Sequence, residues 1–202
     1  MSVFCTNAIN IYAGINGLEV GQSLVIAISL VLYNLIEITN NTNDVNGNLH
    51  NNFASLSILI MFIAVTLPLF FYNKYPSKCF VGDTFCYFAG ITLACSAIIG
   101  NFALTLLLFF IPQIINFLLS IPQLIGIIPC PRHRLPTYNP HEYRLYSKPD
   151  QLNLLNQGLR LIGPTREQDL CNVCMVFQGF CSVLALCFKY IVYPKIQSLL
   201  IN

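Results

Sequence analysis

TFCYFAGITLACSAIIGNFALTLLLFFIPQIINFLLSIPQLIGIIPCP, residues 84–131, lies between Asp83 and Arg132 and contains no Asp, Glu, Lys or Arg. A helix that crosses a bilayer needs about 20 mostly apolar residues, because the hydrocarbon core is about 30 Å thick and each residue rises about 1.5 Å. This stretch is long enough for two spans, and Gly100-Asn101 is the natural turn between them. The same test applied to the flanks marks a span from Phe53 to Tyr72, a shorter one from Gln22 to Ile38 and a last one from Leu170 to Tyr193. Ser2 to Ala13 is apolar but interrupted by Asn7 and Asn10, and too short to cross alone. The expected fold is an all-α polytopic membrane protein with five full transmembrane helices and one partial N-terminal span.

Composition agrees. Of the 202 residues, 55% are hydrophobic and 9% charged, and the mean hydropathy is +0.65. A soluble domain carries about 25% charged residues, so a water-soluble globule is excluded. A net charge of +2 and long apolar runs also exclude disorder and a nucleic-acid partner. Cys5, Cys86, Cys95, Cys181 and Cys187 lie in apolar stretches, where a thiol acts as a small hydrophobe. Cys171 and Cys174 have CxxC spacing with no second pair, and read as two thiols at the start of a membrane helix rather than a metal site. Met1-Ser2-Val3-Phe4 has no basic stretch before its apolar run and is not a cleavable signal peptide.

Lys and Arg gather in cytoplasmic loops near spans. Eight of the ten basic residues fall in two segments that alternation places on one side: Lys74 and Lys78 in the first, and Arg132, Arg134, Arg144, Lys148, Arg160 and Arg166 in the second. The Asn-rich loop from Thr39 to Asn52 has none and is expected to face the lumen or exterior. It carries the glycosylation acceptor pattern Asn40-Asn41-Thr42, close to the end of a span. Lys189 and Lys195 sit near the end of the last span, where they can snorkel. Ile111-Pro112-Gln113 and Ile121-Pro122-Gln123 repeat within one segment, and each proline is expected to bend it.

Polar groups inside membrane segments are costly and mark functional candidates. Three clusters stand out, all expected on the cytosolic side. In Asn7-Ala8-Ile9-Asn10, the two asparagines share a helix face, and Gly14-Ile15-Asn16-Gly17-Leu18-Glu19 follows as a tight loop. Phe80-Val81-Gly82-Asp83-Thr84 ends where a long helix begins, and Asp83 reads as the only acid near that surface, serving either as a helix cap or as a site acid. Pro129-Cys130-Pro131-Arg132-His133-Arg134 sets two arginines around a histidine, either a positive-inside anchor or a grip on a diphosphate. An acid with an amide oxygen suits a hard cation such as magnesium, and arginines suit phosphate. Together they imply phosphoryl chemistry at the membrane surface.

In this order, Phe4-Cys5-Thr6-Asn7-Ala8-Ile9-Asn10, Ala13-Gly14-Ile15-Asn16-Gly17-Leu18-Glu19, Phe80-Val81-Gly82-Asp83-Thr84-Phe85-Cys86-Tyr87-Phe88-Ala89-Gly90 and Pro129-Cys130-Pro131-Arg132-His133-Arg134 closely resemble a known family. It is that of the eukaryotic UDP-N-acetylglucosamine–dolichyl-phosphate N-acetylglucosaminephosphotransferases, within the polyprenyl-phosphate sugar-1-phosphate transferase superfamily. The resemblance runs from Val3 to about Pro136 and returns weakly in the last span. It implies a membrane domain over 1–136, a variable cytosolic insertion over 137–168, and a last helix and tail over 169–202.

The resemblance further implies that Asn10 and Asp83 hold a catalytic Mg2+. Asn16, with the backbone of Gly17 and Leu18, would read the uracil, and Phe80 would stack on it. Arg132, His133 and Arg134 would hold the diphosphate and sugar. Val3, Phe4, Cys5, Thr6, Asn7, Ala8, Ile9, Asn10 and Ile11 would line the groove for the lipid phosphate. The implied reaction is transfer of N-acetylglucosamine-1-phosphate from UDP-N-acetylglucosamine to dolichyl phosphate at the cytosolic face of the endoplasmic reticulum membrane, releasing UMP. The match is to the second half of the family's chain, without its paired-aspartate motif or its lysine near the phosphates. The chain is therefore expected to be inactive alone, as a truncated gene product, a fragment, or one half of a split enzyme needing a separate N-terminal chain or a homodimer partner. The competing expectation is an inactive membrane scaffold or subunit derived from the enzyme.

Overall fold

The computed structural model describes residues 1–40, 48–131 and 134–195. Arg132 and His133, Asn41 and Thr42 of the acceptor pattern, and Asn46 lie outside the described residues. The elements are helices α1 (Ser2–Ile11), α2 (Leu18–Asn40), α3 (Asn48–Asn73), α4 (Gly82–Ile99), α5 (Ala103–Phe109) and α6 (Ile111–Leu124), strands β1 (Thr137–Asn139) and β2 (Arg144–Tyr146), and helices α7 (Leu154–Ile162) and α8 (Glu167–Cys187). A π-helical turn, Phe188–Val192, follows α8.

Among the described residues, four helices, α2, α3, α4 and α8 with its extension to Lys195, are long and apolar enough to cross a membrane, and a fifth span results if the bent pair α5–α6 counts as one. The chain is a multi-pass membrane protein, and α1, at 10 residues, is the short N-terminal piece that its asparagines suggested. The turn after α4 sits where expected, with Asn101 at φ 58°.

The second half of the charge-free stretch differs from expectation. It is broken, with α5 and α6 meeting at 72°. Pro112 opens the first turn of α6, where a missing N–H costs nothing, so the chain restarts there as a new helix. Pro122 lies two residues from the end of α6, where little helix remains to bend. The expected bend thus coincides with one proline and not with the other.

α6 turns its polar side inward. Gln113, Asn116, Ser120 and Gln123 are buried, whereas Leu118, Leu124 and Ile125 are exposed. A bilayer favours this inversion, since lipid cannot satisfy amides and the protein interior can. Asn116 donates to Ile11 O at 3.1 Å and accepts from Leu154 N at 2.8 Å. Gln123 donates to Asp150 O at 2.8 Å and accepts from Leu152 N at 3.1 Å. At the break, Gln113 donates to Gln22 Oε1 and to Gln178 Oε1, both at 2.7 Å, and Gln178 donates to Phe109 O at 2.8 Å. Three buried glutamines thereby tie α2, α6 and α8 to the end of α5.

The described residues form two cores. The larger joins α1 to α5 with the end of α8, around Ile9, Ile26, Leu30, Leu59, Leu93, Phe109 and Phe110. The smaller joins Tyr12, Ile15 and Leu18 to Leu145, Leu155, Leu159, Leu170, Cys171 and Cys174. Residues 137–168 therefore pack into the protein. Their hairpin pairs Thr137 with Tyr146 antiparallel, and Asn153 caps α7 by accepting from Asn156 N at 2.9 Å. Cys171 and Cys174 are free, buried thiols of this core. Among the described residues, no group of three His, Cys, Asp or Glu side chains is placed to hold a metal ion.

Candidate active site

The loops that follow α1, α3 and α6, with the start of α8, meet at one end of the bundle around a cavity of about 570 Å³. Asn10, Asn16, Phe80, Asp83 and Arg134 from the expected site line it, together with Glu19, Asn73 and Glu167.

α1 and α4 run antiparallel and touch along their length. Gly90 makes this possible: a β-carbon there would lie 2.5 Å from Thr6 Cα and 2.5 Å from Thr6 N. The close approach brings the end of α1 to the start of α4, where Asn10 Nδ2 donates to Asp83 Oδ1 at 2.9 Å. Asp83 is exposed in the first turn of α4. The helix cap is Val81, and no side chain caps the helix, so Asp83 is not the cap that one reading of the sequence made it.

Gly14 and Gly17, at φ +131° and +88°, shape the loop between α1 and α2. Gly14 N donates to Glu19 Oε1 at 3.2 Å, Asn16 N to Glu167 Oε1 at 2.7 Å, Gly17 N to Asn73 Oδ1 at 3.2 Å and Leu18 N to Ile15 O at 3.2 Å. Every amide from Asn16 to Leu18 thus has a protein partner, and Leu18 is fully buried. Ala13, Gly14, Ile15 and Asn16 of this loop line the cavity, and of these Asn16 has the polar side chain. Phe80 lines the same cavity and is 89% exposed, on a loop held by Lys78 N donating to Tyr72 O at 2.7 Å and by Asn73 Nδ2 donating to Cys79 O at 2.9 Å.

Arg134 is half-buried, and its Nη1 is buried without a hydrogen-bond partner. Such an orphaned charged donor is costly unless an anion meets it. Arg132 and His133 fall outside the described residues. Of the α1 residues, Cys5, Thr6, Ala8 and Ile9 are buried, which leaves Val3 and Asn7 exposed and Phe4, Asn10 and Ile11 half-exposed.

One expectation is corrected: Asp83 is not the only acid at this surface. Glu19 and Glu167 line the same cavity. Glu19 stands one residue inside α2, and its place in the glycine loop was a usable signal. Glu167 reads in sequence as an ordinary first-turn acid of α8, and Asn73 as the polar end of an apolar run. Nothing local ties either of them to Asn16.

Residues 1–101 match the Glycosyl transferase family 4 profile. The chain belongs to that family of membrane-embedded transferases. It is 48% identical over 199 residues to a UDP-N-acetylglucosamine–dolichyl-phosphate N-acetylglucosaminephosphotransferase of Dictyostelium discoideum, covering 94% of this chain and 49% of the relative. It is 42% identical over 210 residues to one of Leishmania amazonensis, covering 95% and 44%. It is 37% identical over 224 residues to one of Saccharomyces cerevisiae, covering 92% and 49%. The chain spans about half the length of these curated relatives.

Proposed function

We propose that this chain carries part of the active site for transfer of N-acetylglucosamine-1-phosphate from UDP-N-acetylglucosamine to dolichyl phosphate, at the cytosolic face of the endoplasmic reticulum membrane. The observation that carries the reading is the convergence of Asn10, Asp83, Asn16, Phe80 and Arg134 on one cavity at one end of a membrane bundle. An inactive scaffold has no need of that convergence.

Each residue has a task that its surroundings support. Phe80 offers an open ring to the uracil, and Asn16, which lines the same cavity, brings an amide as a hydrogen-bonding group. Arg134 holds an unpartnered buried N–H for a diphosphate oxygen. Arg132 and His133, by resemblance, extend that grip. The open side of α1, at Val3, Asn7 and Asn10, receives the lipid phosphate. An oxygen of that phosphate attacks the β-phosphorus of the donor, the bond from this phosphorus to the bridging oxygen breaks, and UMP leaves with the electron pair. Two anions must meet, so cationic help is required.

Asp83 and the Asn10 amide would hold Mg2+. The donor set fits, because Mg2+ takes few protein oxygens and fills its shell with phosphate and water. When bound, it neutralises the diphosphate and stabilises the UMP leaving group.

The test is release of UMP from UDP-N-acetylglucosamine with dolichyl phosphate present. It is run on the chain alone and on the chain joined to, or expressed with, the part of a relative that the match leaves uncovered. Transfer in either form that stops when Mg2+ is chelated is the expected result; no transfer in any form refutes the reading.

Orientation has its own test. An acceptor tag inserted near Asn46 is expected to be glycosylated in microsomes, and one near Asn139 is not. The loop around Asn46 carries no Lys or Arg, whereas the segment around Asn139 holds six. Sugar attached near Asn139 would put Arg134 in the lumen, away from a cytosolic nucleotide sugar.

A further inference from the structure

The loop that presents Asn16 hangs on acceptors from distant parts of the chain. Glu167, in the first turn of α8, accepts from Asn16 N at 2.7 Å across 151 residues of sequence. Asn73, at the end of α3 and 3% exposed, uses both ends of its amide. It accepts from Gly17 N at 3.2 Å and donates to Cys79 O, the residue before Phe80, at 2.9 Å. One buried amide therefore joins the loop carrying Asn16 to the loop carrying Phe80. The loop needs such bracing, because glycines at positive φ give it conformational freedom that would otherwise be lost on binding.

We propose that Glu167 and Asn73 are positioning residues for nucleotide recognition. They brace the loop carrying Asn16 and the loop carrying Phe80, which line the one cavity proposed to take the uridine base. The inference rests on the donor site proposed above and deepens it. An acid in a helix's first turn ordinarily serves the helix dipole, and Asp169 fills that role in α8 as well. What sets Glu167 apart is its bond to a loop outside its own helix.

The test is equilibrium binding of UMP and of UDP-N-acetylglucosamine in detergent, to the purified chain or to the joined form used for the transfer test, whichever binds nucleotide. Glu167→Ala is expected to weaken both by about tenfold, the scale of one charge-assisted hydrogen bond. The two losses should match, because the base is common to both ligands. Glu167→Gln keeps an acceptor and is expected to bind within about twofold of wild type, whereas Glu167→Asp keeps the charge, withdraws the acceptor, and binds several-fold more weakly. Asn73→Ala should weaken both ligands, and less than additively with Phe80→Ala, since placing Phe80 is part of what Asn73 does. The Gln and Asp pair decides the matter even where the alanine variant fails to fold. Unchanged UMP binding in Glu167→Ala, or a Gln variant as weak as the Asp variant, overturns this inference alone. A wild-type protein that binds neither nucleotide, alone or joined to the part of a relative that the match leaves uncovered, overturns the donor-site reading and this inference with it.

Discussion

Asp83→Ala is expected to lower transfer by about a thousandfold or more, measured as UMP release in whichever form of the protein supports it. Bound cations contribute several kcal/mol to stabilising charge in a transition state, and each 1.36 kcal/mol is a factor of about ten. The protein should remain folded, because Asp83 is exposed and makes one side-chain hydrogen bond, to Asn10. Phe80→Ala separates the roles. It removes a stacking surface without touching charge, so it should raise the donor KM by roughly five- to a hundredfold and leave kcat far less affected. An Asp83→Ala protein that turns over near the wild-type rate would remove Asp83 from the proposed metal site.

Gly90→Ala, the addition of one methyl group, is expected to lower transfer by about a hundredfold. The new carbon would meet backbone, 2.5 Å from Thr6 N and 2.8 Å from Cys5 C, so no rotamer change relieves the clash. α1 must move off α4. Asn10 lies one turn further along α1, about 6 Å on at 1.5 Å per residue, and it moves with the helix. Displacements near 1 Å at a reacting centre cost about a hundredfold. Overpacking should also cost about 1–3 kcal/mol of stability, visible as a lower thermal midpoint. Trimming Thr6 to Ala should not rescue the variant, since the obstacle is main chain. Rescue by that trim, or full activity of Gly90→Ala, would show that helix spacing does not set the Asn10–Asp83 pair.

The two substitutions act on different links between sequence and site. Asp83 stood out in the chain itself, as an acid at the edge of a long charge-free run. Gly90 is one of many small residues in an apolar helix, and its importance appears only where α4 crosses α1. Glu167 and Asn73 are of the second kind, because their partners are loop amides far away in sequence. Arg134 belongs to both: the motif around it was legible, but the orphaned Nη1 that gives it a reason to bind an anion was not.

The spans, the lopsided distribution of Lys and Arg, and the motifs carrying Asn10, Asn16, Phe80, Asp83 and Arg134 could all be read from the chain without a structure. They are local quantities. A charge-free run either reaches the length of a bilayer or does not, and a basic residue counts wherever it stands. Pro112 also marked the bend at which α5 and α6 break, but two features had to wait for the packed molecule: the inward polar face of α6, and the gathering of Asn73 and Glu167 around the cavity. In an apolar helix nearly every face is compatible with lipid, so periodicity does not say which face turns inward. That choice is made by buried amides such as Gln113 and Asn116, which must find partners on other segments, and by Gly90, which lets two backbones approach until Asn10 meets Asp83.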